Sequence, residues 1–200
     1  MLSVVIATSD SEFGLAPTLA ALVPGATAGI VREVIVADWG SRDRTAEIAD
    51  LAGCRVVVLD AAIGTRLKAG AAAARAPWLM FIQPGVVPDV TWVAEVARFV
   101  EQAEDRERVD ATAAAFRPAP RPGTVSSPLR EGLALLRLAL GGKPEPAQGL
   151  IISKRLYDEL GGHRAYSDVP ELDLLRRVGR RRIVLLRSVA TKIREIDPTS

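Results

Sequence analysis

The segment Glu33-Val-Ile-Val-Ala-Asp38-Trp-Gly-Ser41-Arg-Asp43-Arg-Thr45 brings together residue types that can do chemistry. An apolar run that ends in a carboxylate reads as a buried parallel strand presenting Asp38 at its C-terminal edge, where open α/β sheets bind their ligands. Gly40 permits a tight turn, and Ser41 is expected to cap the helix beginning beside it. An edge carboxylate accepts hydrogen bonds from hydroxyls and from the N–H of a heterocycle. Asp43 has two readings, a ligand contact or a charge favoured in the first turn of a helix by the macrodipole alone.

The elements that must position these residues alternate. Leu2 to Ala7, Glu33 to Asp38, Arg55 to Leu59 and Trp78 to Ile82 read as strands, each rich in β-branched or large apolar residues. Helices are predicted over Leu15 to Leu22, Arg42 to Ala52, Thr65 to Arg75 and Val90 to Gln102. This order implies an α/β fold, a mostly parallel sheet with helices on both faces and right-handed crossovers. Thr8 to Asp10, Asp38 to Ser41 and Gln83 to Gly85 then converge on one edge.

The second half is less regular. A strand is expected at Ala111 to Phe116, a loop through the prolines of Arg117 to Gly123, and an amphipathic helix at Ser127 to Leu140 ended by Gly141-Gly142. A strand (Gly149 to Ser153), a helix (Lys154 to Leu160) stopped by Gly161-Gly162, a helix (Glu171 to Val178) and a strand (Arg182 to Leu186) complete the chain.

Composition bounds the function. With 200 residues, 48% hydrophobic and 25% charged, the chain can bury one sizeable core, so a single domain is expected over 1–200. The formal charge is only +2, but Ile151 to Ser200 carries eleven Lys or Arg against seven Asp or Glu, a net charge of about +4. Such a basic quarter could meet pyrophosphate, nucleic acid or anionic lipid, or be a solvated helix face. Aromatic residues make up 4% of the chain, too few to interleave the basic residues, and no nucleic-acid partner is expected. One cysteine, Cys54, excludes an intramolecular disulfide, and no Cys/His cluster offers a zinc site. The start lacks the basic region of a signal peptide, and charges break every long apolar stretch. A cytoplasmic location is expected, with peripheral contact at the inner face of the membrane left open.

In order along the chain, Ser3-Val-Val-Ile-Ala-Thr8, the Glu33 to Ala49 segment and Ala69-Gly70-Ala-Ala-Ala-Ala-Arg75-Ala-Pro-Trp78-Leu-Met-Phe81 resemble the family-two glycosyltransferases of GT-A fold. Gln148-Gly149-Leu-Ile-Ile-Ser-Lys-Arg155-Leu-Tyr-Asp-Glu-Leu160-Gly-Gly162 resembles the family's acceptor-side strand and helix, and Pro170-Glu171-Leu172-Asp173-Leu174 stands where the family has Glu-Asp-x-Asp-Leu. The resemblance implies a nucleotide-sugar-binding half over 1–102, an acceptor-side half over 103–200 and a nucleotide-diphosphate sugar as donor. The acceptor is unknown: a glycan, a lipid or a small molecule. It implies that Thr8 and Asp38 hold the base and ribose, with Asp43 and Arg75 near the same site. It also implies that Glu171 is the general base for inverting transfer. Asp173 is expected to cap or orient its helix, and His163 to form a helix cap, lie at the surface or contact an acceptor.

The sharpest departure is Gln83-Pro84-Gly85, where the family places Asp-x-Asp and holds a divalent metal. Magnesium and manganese require oxygen ligands, usually with a carboxylate, so the usual clamp is missing and no metal is assigned. Gln83 and Gly85 are kept as donor-side positions. Lys68 or Arg66, or the basic helix from Arg176 to Arg182, would then supply positive charge to the diphosphate, unless these are merely exposed helix residues. Asp89 is expected to cap the helix behind it. Two readings follow: a glycosyltransferase, or a degenerate member of the fold that binds or regulates.

Overall fold

A computed structural model describes residues 1–105, 107–119, 149–166 and 169–193. The Ser127 to Leu140 helix and the proline-rich loop beyond Ala119 lie outside the described residues.

Eight strands form one sheet in the order β3-β2-β1-β4-β7-β6-β8-β5. They are β1 (Leu2–Thr8), β2 (Val31–Asp38), β3 (Arg55–Val58), β4 (Trp78–Phe81), β5 (Val86–Pro88), β6 (Ala113–Pro118), β7 (Leu150–Ser153) and β8 (Ile183–Lys192). The first four are parallel, joined by α1 (Glu12–Thr27), α2 (Thr45–Leu51) and α3 (Ile63–Ala73). Beyond β4 the sheet is mixed, because β7 runs antiparallel to both β4 and β6, and β5 antiparallel to β8. The helices α4 (Trp92–Asp105), α5 (Lys154–Glu159) and α6 (Pro170–Val178) complete the two outer layers.

Alternation along β1 divides the core between the faces. Val4 and Ile6 pack with Leu15, Leu19, Trp92, Val96 and Phe99 from α1 and α4. Val5 faces the other way, with Leu67 of α3, Leu156 and Tyr157 of α5, and Leu174 and Leu175 of α6. Trp92 closes over Gly25, where an added Cβ would lie 2.3 Å from the indole.

Several boundaries differ from the expected ones for local reasons. Helix α1 runs 16 residues although Pro17 and Pro24 lie inside it. The carbonyls that these prolines cannot serve belong to Phe13 and Ala20, both on the solvent side. Helix α2 begins at Thr45 rather than Arg42, and Ser41 does not cap it; that hydroxyl donates to Asp38 instead. Strand β8 extends to Lys192, and its pairing partner β5 was not anticipated. Asp89 does organise the entry to α4, accepting from the Thr91 N–H and hydroxyl, while its other oxygen accepts from Val189 N of β8.

Candidate functional site at the C-terminal strand edge

Thr8 and Asp38 are register partners at the ends of β1 and β2, each only 1% exposed. Asp38 Oδ1 accepts from Thr8 Oγ1 and Ser41 Oγ at 2.6 Å each, and Oδ2 accepts from the backbone N–H of Gly40 at 2.8 Å and Ser41 at 2.7 Å. A carboxylate offers about four acceptor positions, so this one is saturated from within. Burial alone would raise the Asp38 pKa, but the hydrogen bonds from Ser41, Thr8 and the turn N–H groups outweigh it and hold the carboxyl below its ordinary range. Asp38 therefore sits where expected, and its four hydrogen bonds organise the turn.

Arg66 completes this knot. It is buried, donating to the carbonyls of Thr8, Ala61 and Ala37, and so is not an exposed helix residue. Asp43 accepts from Thr45 N at 2.9 Å and Glu12 N at 3.0 Å, serving the N-termini of α2 and α1 together. Asp43 thus lies just ahead of α2 rather than in its first turn. Trp39, half exposed beside Asp38, is held by its indole N–H to Asp60 at 2.6 Å.

A second polar group forms one strand over. β4 pairs Phe81 with Val5, which brings Gln83 level with Ala7. Glu171 arrives from the first turn of α6, which Pro170 opens at a position suited to its fixed φ. Gln83 Nε2 donates to Glu171 Oε1 at 3.1 Å, and Lys192 Nζ of β8 lies 3.4 Å from Gln83 Oε1. The amide orientation is assigned from this network, with a donor side facing the carboxylate and an acceptor side facing the ammonium. Beneath Gln83 and Glu171, Ala7, Leu67, Phe81 and Leu150 close to a cavity of about 20 Å³. Lys192 was missed in the sequence because its β8 residue pairs with Val86 of a three-residue strand that gives almost no periodic signal.

The remaining expected residues lie elsewhere. Gly85 adopts φ +80° and is built into the scaffold: its N–H donates to Gly14 O and Thr18 Oγ1, and its carbonyl accepts from Ile193 N. Arg75 is separated from the edge. Its backbone N–H donates to Glu33, which also accepts from Ser3, about 16 Å back along β1 from Thr8. Lys68 reaches Gly161 O at 3.2 Å on the outer flank of α3. There an open groove of about 810 Å³ runs between α3 and the α5–α6 connection, with Thr65, Lys68, Arg164, Tyr166 and Asp173 along it. This groove lies beside the strand edge rather than in it. Arg176 and Arg177 lie in the last turn of α6, about 8–9 Å along the axis from Glu171, and Arg180 to Arg182 follow in the turn beyond the helix end.

His163 is neither a cap nor at the surface. It is 2% exposed, its Nδ1 3.0 Å from the Tyr157 hydroxyl and its ring edge-on to Phe81. Burial, aided by the nearby Arg177 charge, pushes its pKa down to about 3. Asp173 pairs with Arg177 at 2.8 Å, and Arg177 donates to the Leu160 and Gly162 carbonyls, which fixes the α5–α6 connection and orients the helix.

No protein-family model and no curated protein matches this sequence. The fold does match solved structures. Glucosyl-3-phosphoglycerate synthase from Mycobacterium tuberculosis, in complex with Mn2+, UDP and glucosyl-3-phosphoglycerate, superimposes with a TM-score of 0.68 at 23% identity, over 97% of this chain and 72% of that one. A fragment of S. aureus TarS matches with a TM-score of 0.70 at 17% identity, over 95% and 60%. The same fragment in complex with UDP gives 0.68 at 17% identity. The α/β fold of this chain is the GT-A-type fold of these structures.

Proposed function

We propose that this chain is a glycosyltransferase that binds a nucleotide-diphosphate sugar across the ends of β1, β2 and β4 and transfers the sugar to an acceptor hydroxyl with inversion. The observation that carries this reading is the meeting of Glu171 with Gln83 beside the Thr8–Asp38 edge, in a fold whose solved relatives include UDP complexes. Glu171 Oε1 is occupied by the Gln83 amide, which leaves Oε2 to take the acceptor proton. As the acceptor oxygen bonds to the anomeric carbon, the bond from that carbon to the diphosphate breaks, and the nucleoside diphosphate leaves with the electron pair. The Thr8–Asp38–Ser41 knot acts by holding the edge rigid, and the nucleoside rests on groups that the turn exposes, Trp39 among them.

A divalent metal at the end of β4 does not suit the residues present. Gln83 turns its amide oxygen to an ammonium, Pro84 and Gly85 bring no side-chain oxygen, and among the described residues Glu171 is the one carboxylate hydrogen-bonded to Gln83. Magnesium and manganese favour more anionic oxygen sets.

The second reading, a protein of this fold that binds or regulates without transfer, is favoured by the saturation of Asp38 and the missing acids at Gln83 and Gly85. Among the described residues no helix is long and apolar enough to cross a membrane. The test is calorimetric titration with UDP, GDP and their sugar conjugates, with manganese and with EDTA, followed by an assay for sugar release. Binding with slow release to water supports transfer; binding without any release supports the second reading, and absence of binding refutes transfer and leaves a degenerate fold with a different role.

A further inference from the structure

The metal clamp expected of this fold is missing, yet a cation stands at the same strand end. We propose that Lys192 takes the place of the metal, its ammonium neutralising the diphosphate of the donor and the charge that develops as the diphosphate leaves. This inference rests on the transferase reading above.

Three features fix the ammonium there. Lys192 pairs with Val86 in the β5–β8 ladder, and the next residue continues the contact through Ile193 N to Gly85 O at 2.8 Å, so its backbone is anchored on both sides of the turn that follows β4. The Lys192 side chain is directed to Gln83 Oε1, and Gln83 is itself held from the other end by Glu171. Among the described residues Lys192 forms no ion pair, so its charge is available to a ligand.

The competing cations are otherwise engaged or distant. Arg66 is buried on three carbonyls, Lys68 lies on the outer flank of α3, and Arg177 is spent on Asp173 and two carbonyls. Replacing a carboxylate by Gln at position 83 is consistent with this exchange. An Asp there would neutralise Lys192, whereas an amide orients the ammonium and leaves its charge intact. A fixed cation aimed at the leaving group lowers the barrier without any metal equilibrium.

The experiment compares wild type, Lys192→Met, Lys192→Arg and Gln83→Met in EDTA, titrating UDP, GDP, ADP and dTDP and the matching nucleoside monophosphates. Thermal melts confirm that each variant is folded. Wild type is expected to bind one diphosphate without metal. Lys192→Met should weaken that diphosphate by roughly 10- to 100-fold, the range of a lost charge-assisted contact, and the monophosphate far less. Lys192→Arg should keep most of the affinity, and Gln83→Met, which removes the orienting amide, should lose part of it.

Equal losses for diphosphate and monophosphate would make Lys192 a packing residue and overturn the inference. So would unchanged diphosphate affinity in Lys192→Met, or wild-type binding only with manganese, and in each of these cases the transferase reading stands. Absence of diphosphate binding by wild type under any condition would overturn that reading together with this one.

Discussion

Asp38→Asn tests whether the edge carboxylate is a scaffold or a ligand. Asn is nearly isosteric and keeps one oxygen for the Thr8 and Ser41 hydroxyls, but it turns an NH2 toward the N–H groups of Gly40 and Ser41, two donors now facing a donor. Each hydrogen bond to a charged acceptor is worth about 1.5–3 kcal/mol net, so two lost bonds set an upper range of about 3–6 kcal/mol. Gly40 is solvent-exposed and Ser41 partly so, which lets water recover some of this, and a loss of about 3 kcal/mol is expected. For a chain of this size that lowers Tm by about 6–12 °C. The loss should also depend on pH. Because the folded Asp38 pKa lies below its ordinary value of 3.8, the stabilisation is complete above about that pH and fades as the pH falls through the lower folded value. Urea unfolding followed by circular dichroism at pH 7, 4 and 3 would measure both effects, and the gap between wild type and variant should begin to narrow only below 3.8. A variant within about 0.5 kcal/mol of wild type at pH 7 would refute the scaffold argument. If that variant had also lost nucleotide affinity, Asp38 would be a direct ligand after all.

Three further outcomes follow from the same geometry. Glu171→Gln keeps an oxygen for Gln83 but cannot take a proton, so kcat should fall by about 10²- to 10⁴-fold with donor Kd nearly unchanged, measured by sugar transfer and calorimetry; surviving turnover would point to another base. Gly64→Ala would set a Cβ 2.1 Å from the Arg164 carbonyl at the contact of α3 with the α5–α6 connection, and a loss of about 2–4 kcal/mol in urea unfolding is expected, refuted by a neutral substitution. For His163 the folded pKa, pushed down to about 3, lies below the unfolded value of 6.5. The unfolded chain therefore gains a proton first as the pH drops, and stability falls between those values, by about 2 kcal/mol from this residue at pH 5. His163→Gln should remove that part of the pH dependence, and an unchanged profile would refute it.

The first half of the fold was legible because its strands are apolar and end at punctuating residues. Asp38 and Gly40 close β2, and the β1–β4 alternation with helices implies the parallel order that register pairs such as Val5 with Phe81 realise. Legibility failed where polar side chains chose partners far away in sequence. Ser41 looks like a helix cap, yet a saturated carboxylate three residues back outcompetes the helix for its hydroxyl. Lys68 and Arg66 are two residues apart on one helix, but the 100° step per residue sends one to the outer groove and buries the other against β1.

The Gln83 edge shows why sequence motifs alone could not settle its chemistry. Gln83, Glu171 and Lys192 come from the end of β4, the start of α6 and the end of β8, separated by 88 and 109 positions where Gln83 is the common partner. Replacing the acids of the metal clamp removes ligands, which from the sequence is indistinguishable from decay. The same replacement, set beside an ammonium that a carboxylate would have quenched, becomes a change in the sign of the local charge. A decayed site has no reason to keep the compensating cation aimed at the vacated position, whereas a metal-independent site requires it. The Lys192 and Gln83 variants separate these cases because they act on diphosphate affinity in the absence of metal, before any question of turnover arises.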